Sequence, residues 1–285
     1  DTKIKLKKFN SSRNVEMDGL IKMDNNYDRF QFSEHYNFVN KNSNIVGSID
    51  LTNLEVTVPK LNYRKDQGKK SELTFVANFI LNKEYNVENL NFSSDKTKIY
   101  LSNIKLNKNF ETVDFKKLEV KTFSNHTKNN DFAANKAENI IVSGEIFDAE
   151  PLLKSLYKNV DRKTFSKNFN SEIKVNFNKA LTGTKDNVSD FAMVAKINKG
   201  SYDKLSMKGN FSNEEIIEMS IYKTENDKKT LHIISDRATP FIKNFDFIKG
   251  FEGGKLEYQS TIKKEASNSN LIITDFKVSK VPALA

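Results

Sequence analysis

The sequence predicts a mainly β protein: an elongated, curled antiparallel sheet that forms an open apolar groove, with two short amphipathic helices. Three observations carry this. Apolar and polar residues alternate with period two along most segments, the pattern of strands with one buried and one wet face. Some segments change phase midway, as a β-bulge does when it bends a strand. Loops rich in Asn, Asp, Ser, Gly and Lys, such as RKDQGKK and SNHTKNND, separate about fifteen expected strands.

Taken in order, the N-terminal part to about Asn44 suggests strands through Phe30 and Phe32, then Tyr36 and Phe38. In GSIDLTNLEVTVP, Ile49 and Leu51 precede Leu54, Val56 and Val58 of the other parity, which predicts a bulge. SELTFVANFI places Leu73, Phe75, Ala77 and Phe79 on one face. KIYLSNIKLN slips between Ile99/Leu101 and Ile104/Leu106 and predicts a second bulge. A helix is expected near 149–158, capped by Asp148, with Pro151 in its first turn and Leu152, Leu153 and Leu156 sharing a face. EIKVNFN puts Ile173, Val175 and Phe177 together, KLSMKGNF puts Leu205, Met207 and Phe211, and GKLEYQSTI puts Leu256, Tyr258 and Ile262. A second helix is expected near 236–249, capped by Ser235 or Asp236. Phe241, Ile242, Phe245 and Ile248 would form its apolar side and plug one end of the sheet. The chain closes on LIITDFKVSKVPALA, a strand whose Ile272, Phe276 and Val278 share one parity and which stops at Pro282.

The 285 residues suffice for a large core, and 22 Phe with 9 Tyr argue against disorder. The net charge of +9 comes mostly from Lys spread over every segment; Arg occurs only at Arg13, Arg29, Arg64, Arg162 and Arg237. Coding bias is one source of that charge and attraction to an anionic surface such as lipid headgroups is another. A nucleic-acid reader would concentrate Arg and aromatics in one patch, so no nucleic-acid partner is expected. The absence of Cys excludes disulfides and thiolate metal sites. No apolar run reaches the length of a membrane span. The start at Asp1 without Met predicts a piece of a longer protein, with any anchor outside it.

Catalytic chemistry is not expected. His35, His126 and His232 lie in unrelated segments without a ligand-spaced partner. Ser155 and Lys158 match Ser-x-x-Lys, but its companion motifs are missing. Gly250, Gly253, Gly254 and Lys255 lack Walker spacing and precede a strand, so they read as a turn. The expectation is a non-enzyme with no cofactor and no metal.

From about Ile45 onwards the order of segments resembles the AsmA-like repeat of the YhdP/TamB superfamily. GSIDLTNLEVTVPKLNYRKDQGKKSEL resembles its Asp-Leu-Thr … Pro … Trp-Arg-Lys … Gly block through Tyr63, Arg64, Lys65 and Gly68, with Tyr63 where Trp is usual. IIVSGEIFDAEPLLKSL resembles its strand-to-helix step through Gly144, Asp148, Pro151, Leu152 and Leu153. ISDRATPFIKNFDFIKGFEGGKLEYQSTI resembles a later helix-to-strand step, with Ala238-Thr239 where Ala-Gly is common. LIITDFKVSKVPALA resembles its closing strand through Asp275, Phe276, Val278 and Pro282 to Ala285.

The resemblance implies a periplasmic envelope protein, anchored in the inner membrane by a segment outside this chain and similar to bridge-like lipid transfer proteins. The whole chain, 1–285, would then be one elongated β-groove fragment whose partners are phospholipid acyl chains, the inner and outer membranes and other envelope proteins. Parity nominates the lining: Leu73, Phe75, Phe79, Ile173, Val175, Phe177, Leu205, Met207, Phe211, Leu256, Tyr258, Ile262, Ile272, Phe276 and Val278. Two alternatives stay open: an envelope scaffold that takes partner strands at its sheet edges, and an unrelated β-sandwich binding module.

Overall fold

The computed structural model describes residues 2–23, 25–80, 84–109, 112–157, 169–212, 214–223, 228–242, 251–262 and 267–278. The chain divides into two compact units, Asp1–Ala137 and Glu138–Ala285. Both are mainly β, and their strands are mostly antiparallel.

The first unit opens with β1 (Thr2–Lys8), β2 (Ser12–Met23), β3 (Asn26–Asn37) and β4 (Asn42–Asp50), paired as successive antiparallel hairpins. The described N-terminal stretch is therefore built of strands joined by short turns. Next, β5 (Val56–Val58) and β6 (Tyr63–Lys65) form a separate ribbon around a 3-10 turn at Pro59–Leu61. The chain returns with β7 (Glu72–Ile80), which pairs with β4, and continues through β8 (Glu84–Ser94) and β9 (Thr97–Leu106). After the short β10 (Thr112–Asp114), β11 (Lys117–Ser124) pairs with both β9 and β12 (Thr127–Lys136).

The two phase changes read from the sequence resolve differently. In β9, Asn103 adopts φ +49°, and the buried positions slip from Ile99 to Ser102 and Ile104, as in a bulge. In GSIDLTNLEVTVP there is no bulge. The strand ends at Asp50, whose carboxylate accepts the Thr52 amide at 2.8 Å. That local bond competes with the ladder and turns the chain, so Val56 and Val58 belong to the ribbon.

The second unit starts with β13 (Ile140–Asp148), α1 (Glu150–Tyr157) and β14 (Ser171–Leu181). Contrary to the antiparallel expectation, β13 and β14 are parallel, and α1 lies in the crossover that a parallel pair requires. Then β15 (Val188–Asn198), β16 (Ser201–Asn210), β17 (Ile216–Lys223) and β18 (Lys229–Ser235) follow antiparallel. A short helix, α2 (Thr239–Ile242), precedes the hairpin of β19 (Phe251–Ile262) and β20 (Ser267–Val278).

The Asp148 carboxylate accepts the Glu150 amide at 3.1 Å and Pro151 sits in the first turn of α1, as expected. The apolar stripe is narrower than expected: Leu153 packs on the core while Leu152 is exposed. The side chain of Leu156 lies outside the described residues. The second helix begins later than its predicted cap. Ser235 donates to the Arg237 carbonyl and the Asp236 carboxylate accepts the Ile216 amide, so neither caps α2. Instead the Ala238 carbonyl accepts the Phe241 and Ile242 amides at 3.0 and 3.2 Å. The remainder of that expected helix, with Phe245 and Ile248, lies outside the described residues.

Gly253 and Gly254 do not form a turn. They lie inside β19 with φ +70° and +84°, opposite Phe276 and Asp275 of β20, where Asp275 has φ +54°. A Cβ on Gly254 would come within 3.0 Å of the Phe276 Cβ, so this position needs glycine for both its φ and its close approach.

Candidate functional site

The strand registers of the first unit line up side chains in rows across β1, β2, β3, β4, β7 and β8, because directly paired residues share a face. One row reads Ile4, Met17, Phe32, Gly47, Phe75 and Leu90. The next, toward the β2–β3 turn, reads Thr2, Gly19, Phe30, Ile49, Leu73 and Phe92. On the other side lie Leu6, Val15, Glu34, Ile45, Ala77 and Val87, then Lys8, Arg13, Tyr36, Ser43, Phe79 and Tyr85. A register shift at Val76/Ala77 keeps Val87 and Tyr85 on the face of Leu90 and Phe92. The result is a mainly apolar face, interrupted by Glu34, that ends in a cationic and aromatic row.

This face is covered unevenly. At the β8–β11 side the ribbon lies over it. Leu54, Val56, Val58 and Leu61 pack with Leu51, Tyr63, Phe92, Ile99, Leu101 and Leu118. Polar contacts pin the ribbon down. Lys65, 2% exposed, donates its ammonium to the carbonyls of Leu51, Thr52 and Lys69 at 2.7, 3.2 and 3.1 Å. Burial pushes the Lys65 ammonium below its ordinary pKa, and Asp28, Asp50 and Asp66 oppose that shift. Asn129 and Asn130 donate to the Leu61 carbonyl at 3.2 and 2.8 Å. Asn53 ties the approach to the ribbon to β3 through the Asp28 carboxylate and the Tyr27 carbonyl. Toward β1 the same face is open: Ile4 is 63% and Leu6 65% exposed.

In the second unit the corresponding apolar positions are core. One row runs Val175, Met193, Met207, Met219, Ile233, Tyr258 and Leu271. Leu205, Met207, Ile217, Ile233 and Leu256 are buried beneath Ala238, Phe241 and Ile242, with Leu153 packed alongside. An apolar face under a helix is ordinary core construction.

The nominated residues thus separate by unit. Leu73, Phe75 and Phe79 are half-buried on the first unit's apolar face. Ile173, Val175, Phe177, Leu205, Met207 and Leu256 are buried in the second, and Phe211 and Tyr258 pack against its core. Ile262 ends β19. Ile272 is a correction: it pairs with Glu257 and lies on the opposite face, while Ile273 pairs with Leu256 and joins the core. The positive φ at Asp275 breaks the alternation and returns Phe276 to the side of Ile273, and Val278 follows at the strand end. Parity carried through LIITDFKV without that break misplaced Ile272. Parity also missed Ile4, Leu6, Val15 and Met17, although TKIKLKK shows the same alternation.

The reverse face of the first unit is polar, with an open depression of about 560 Å³ among Lys3, Lys5, Asp18, Gln31, Val46 and Thr74. The histidines are engaged locally. His35 Nδ1 lies 2.6 Å from Asn14 Oδ1 and His232 Nε2 3.2 Å from Glu257 Oε1, while His126 sits in a turn at φ +63°. Among the described residues no cluster of His, Cys, Asp and Glu could hold a metal, and no helix is long and apolar enough to cross a membrane. Lys158 of the Ser-x-x-Lys match lies outside the described residues.

Comparison with protein-family models, curated proteins and solved structures finds no match for this chain. The AsmA-like resemblance rests on the four sequence segments alone.

Proposed function

We propose that this is a non-enzymatic envelope protein of the periplasm that carries phospholipid between inner and outer membrane, with acyl chains seated on the apolar face of the first unit. The supporting observation is the run of register-aligned apolar rows, exposed at Ile4 and Leu6 of β1 and half-buried along β2 and β3. Each CH₂ moved from water onto such a surface gains up to about 0.8 kcal/mol, so an acyl chain prefers it. Many equivalent Phe, Ile, Leu and Met contacts favour sliding over trapping. Conduction over a distance calls for the face to continue as a trough, which is the shape the AsmA-like resemblance implies.

The test is native mass spectrometry of the purified chain with phospholipid, joined to a vesicle-to-vesicle transfer assay. Bound phospholipid is expected, and Ile4→Asp with Phe32→Asp should cut transfer at least roughly tenfold at unchanged strand content. Absence of bound lipid, or wild-type transfer by the variant, defeats the reading. A scaffold role has one observation in its favour: β20 pairs only with β19 among the described residues, and Leu271 and Ile272 are exposed along it, which suits strand addition by a partner.

A further inference from the structure

We infer that the first unit's apolar face seats a phospholipid in one orientation, with an anionic headgroup at the Lys8–Arg13 end and the acyl chains directed toward the ribbon; this rests on the lipid reading above. The face is polar at its two ends in opposite senses. At one end the register places Lys8 beside Arg13 and Arg13 beside Tyr36. The Arg13 guanidinium lies 5.0 Å from the Tyr36 ring centroid and donates through Nη2 to Glu34 at 3.2 Å, while its Nε has no partner. Glu34 is further satisfied by the Ser43 hydroxyl at 2.5 Å. Lys8 and Arg13 bring two positive charges to this row, Glu34 of the adjacent Leu6–Val15 row offsets one, and a guanidinium fork suits phosphate oxygens. Lys41, in the turn between β3 and β4, adds a cation at the same end.

At the other end the sign reverses. Asp28 is 2% exposed, shares its parity with Phe30 and Phe32, and has an unpartnered Oδ2. A phosphate brought there would meet a buried carboxylate and an apolar ribbon, and the Lys65 ammonium nearby is already taken by three carbonyls.

Length fits the same orientation. The apolar rows from Leu6 to Thr2 span four residue steps, about 14 Å at strand rise. The acyl region of one leaflet is half the bilayer hydrocarbon, about 15 Å. Chains laid along the strands from the cationic row therefore end at the row of Thr2, Gly19 and Phe30, beside which the ribbon packs on Ile49, Leu73 and Phe92.

The experiment places single Trp reporters in the full chain, which has none of its own. Tyr36→Trp reports the cationic row and Phe30→Trp the ribbon end, with Phe79→Trp as a second reporter of the cationic row should Tyr36→Trp not fold. Each is loaded with phosphatidylglycerol carrying a nitroxide near the glycerol or at the chain end. Expected is quenching of the Tyr36 reporter by the glycerol-proximal label and of the Phe30 reporter by the chain-end label. Equal or reversed quenching overturns the orientation and leaves lipid binding standing; no lipid bound to any variant brings down both. Lys8→Gln with Arg13→Gln should weaken phosphatidylglycerol roughly tenfold relative to phosphatidylcholine. An equal loss for both lipids overturns the anionic preference.

Discussion

The two units are built from the same alternating strands and treat their apolar faces differently. In the second, three residues at and before α2 cover the sheet together with Leu153 of α1: Ala238 is fully buried, and Phe241 and Ile242 pack with Leu205, Met207 and Leu256. In the first, the cover is a two-stranded ribbon held by Lys65, Asn129 and Asn130, and it reaches only part of the face. One cover is apolar and helical. The other is anchored by buried polar bonds and leaves Ile4 and Leu6 of β1 exposed, with Met17 and Phe32 half-buried. Period-two alternation says that a face is apolar; what lies over it decides between core and binding surface.

The comparison breaks most sharply with a charge placed on each face. Leu205→Asp, at 6% exposure in the second unit, should cost about 4 kcal/mol or more, because a carboxylate is stranded under α2. Leu6→Asp, at 65% exposure in the first, should change stability by no more than about 0.5 kcal/mol. Urea unfolding followed by circular dichroism checks both. Similar losses would mean that the first face is covered as thoroughly as the second.

The strands of this contrast were legible in the sequence and the covers were not. Ile173, Val175 and Phe177 announce a buried face, as do Leu205 and Met207, because alternation depends only on neighbours in the chain. Lys65 gives no such signal. A lysine between Arg64 and Asp66 reads as solvated, and only the fold brings the carbonyls of Leu51, Thr52 and Lys69 around it. The misplacement of Ile272 has a related cause. Asp275 at φ +54° breaks the alternation between Ile273 and Phe276 without shifting the register, and an Asp within an otherwise regular strand does not declare its φ. The parallel β13–β14 pair was missed because the strands themselves alternate as antiparallel ones do.

The next largest effect tests whether the ribbon is held by its polar anchors. Lys65→Met keeps the volume of the stem and removes the ammonium; the Leu51 and Thr52 carbonyls keep only the Leu54 and Gly68 amides, and the Lys69 carbonyl loses its ammonium donor. A loss of about 3 kcal/mol is expected. Binding of a hydrophobic dye should rise as Leu54, Val56 and Val58 lift from Phe92 and Leu101. A variant as stable as the parent, with no added dye binding, would show that apolar packing alone holds the ribbon and would erase the difference in anchoring between the two covers.

The smallest effect belongs to partly exposed ion pairs between neighbouring strands, where the units should behave alike. Asp18 bonds Arg29 diagonally between β2 and β3 at 2.7 and 3.0 Å, and Asp203 bonds Lys223 across β16 and β17 at 2.9 Å. These partners, chiefly through their hydrogen bonds, hold both carboxyls below the ordinary carboxylate pKa. A carboxyl with a depressed folded pKa contributes stability above its unfolded value of 3.8 and loses it as pH falls through the lower folded value. Below both values the contribution is gone. Arg29→Gln and Lys223→Gln should therefore each lower the urea midpoint slightly at about pH 5 and converge on the parent at about pH 2. Solvent screens both pairs, so the two shifts should be small and of similar size. A much larger shift at Arg29 would mean that the polar face of the first unit is itself desolvated, and the contrast between the units would then extend through the sheet rather than stop at its apolar side.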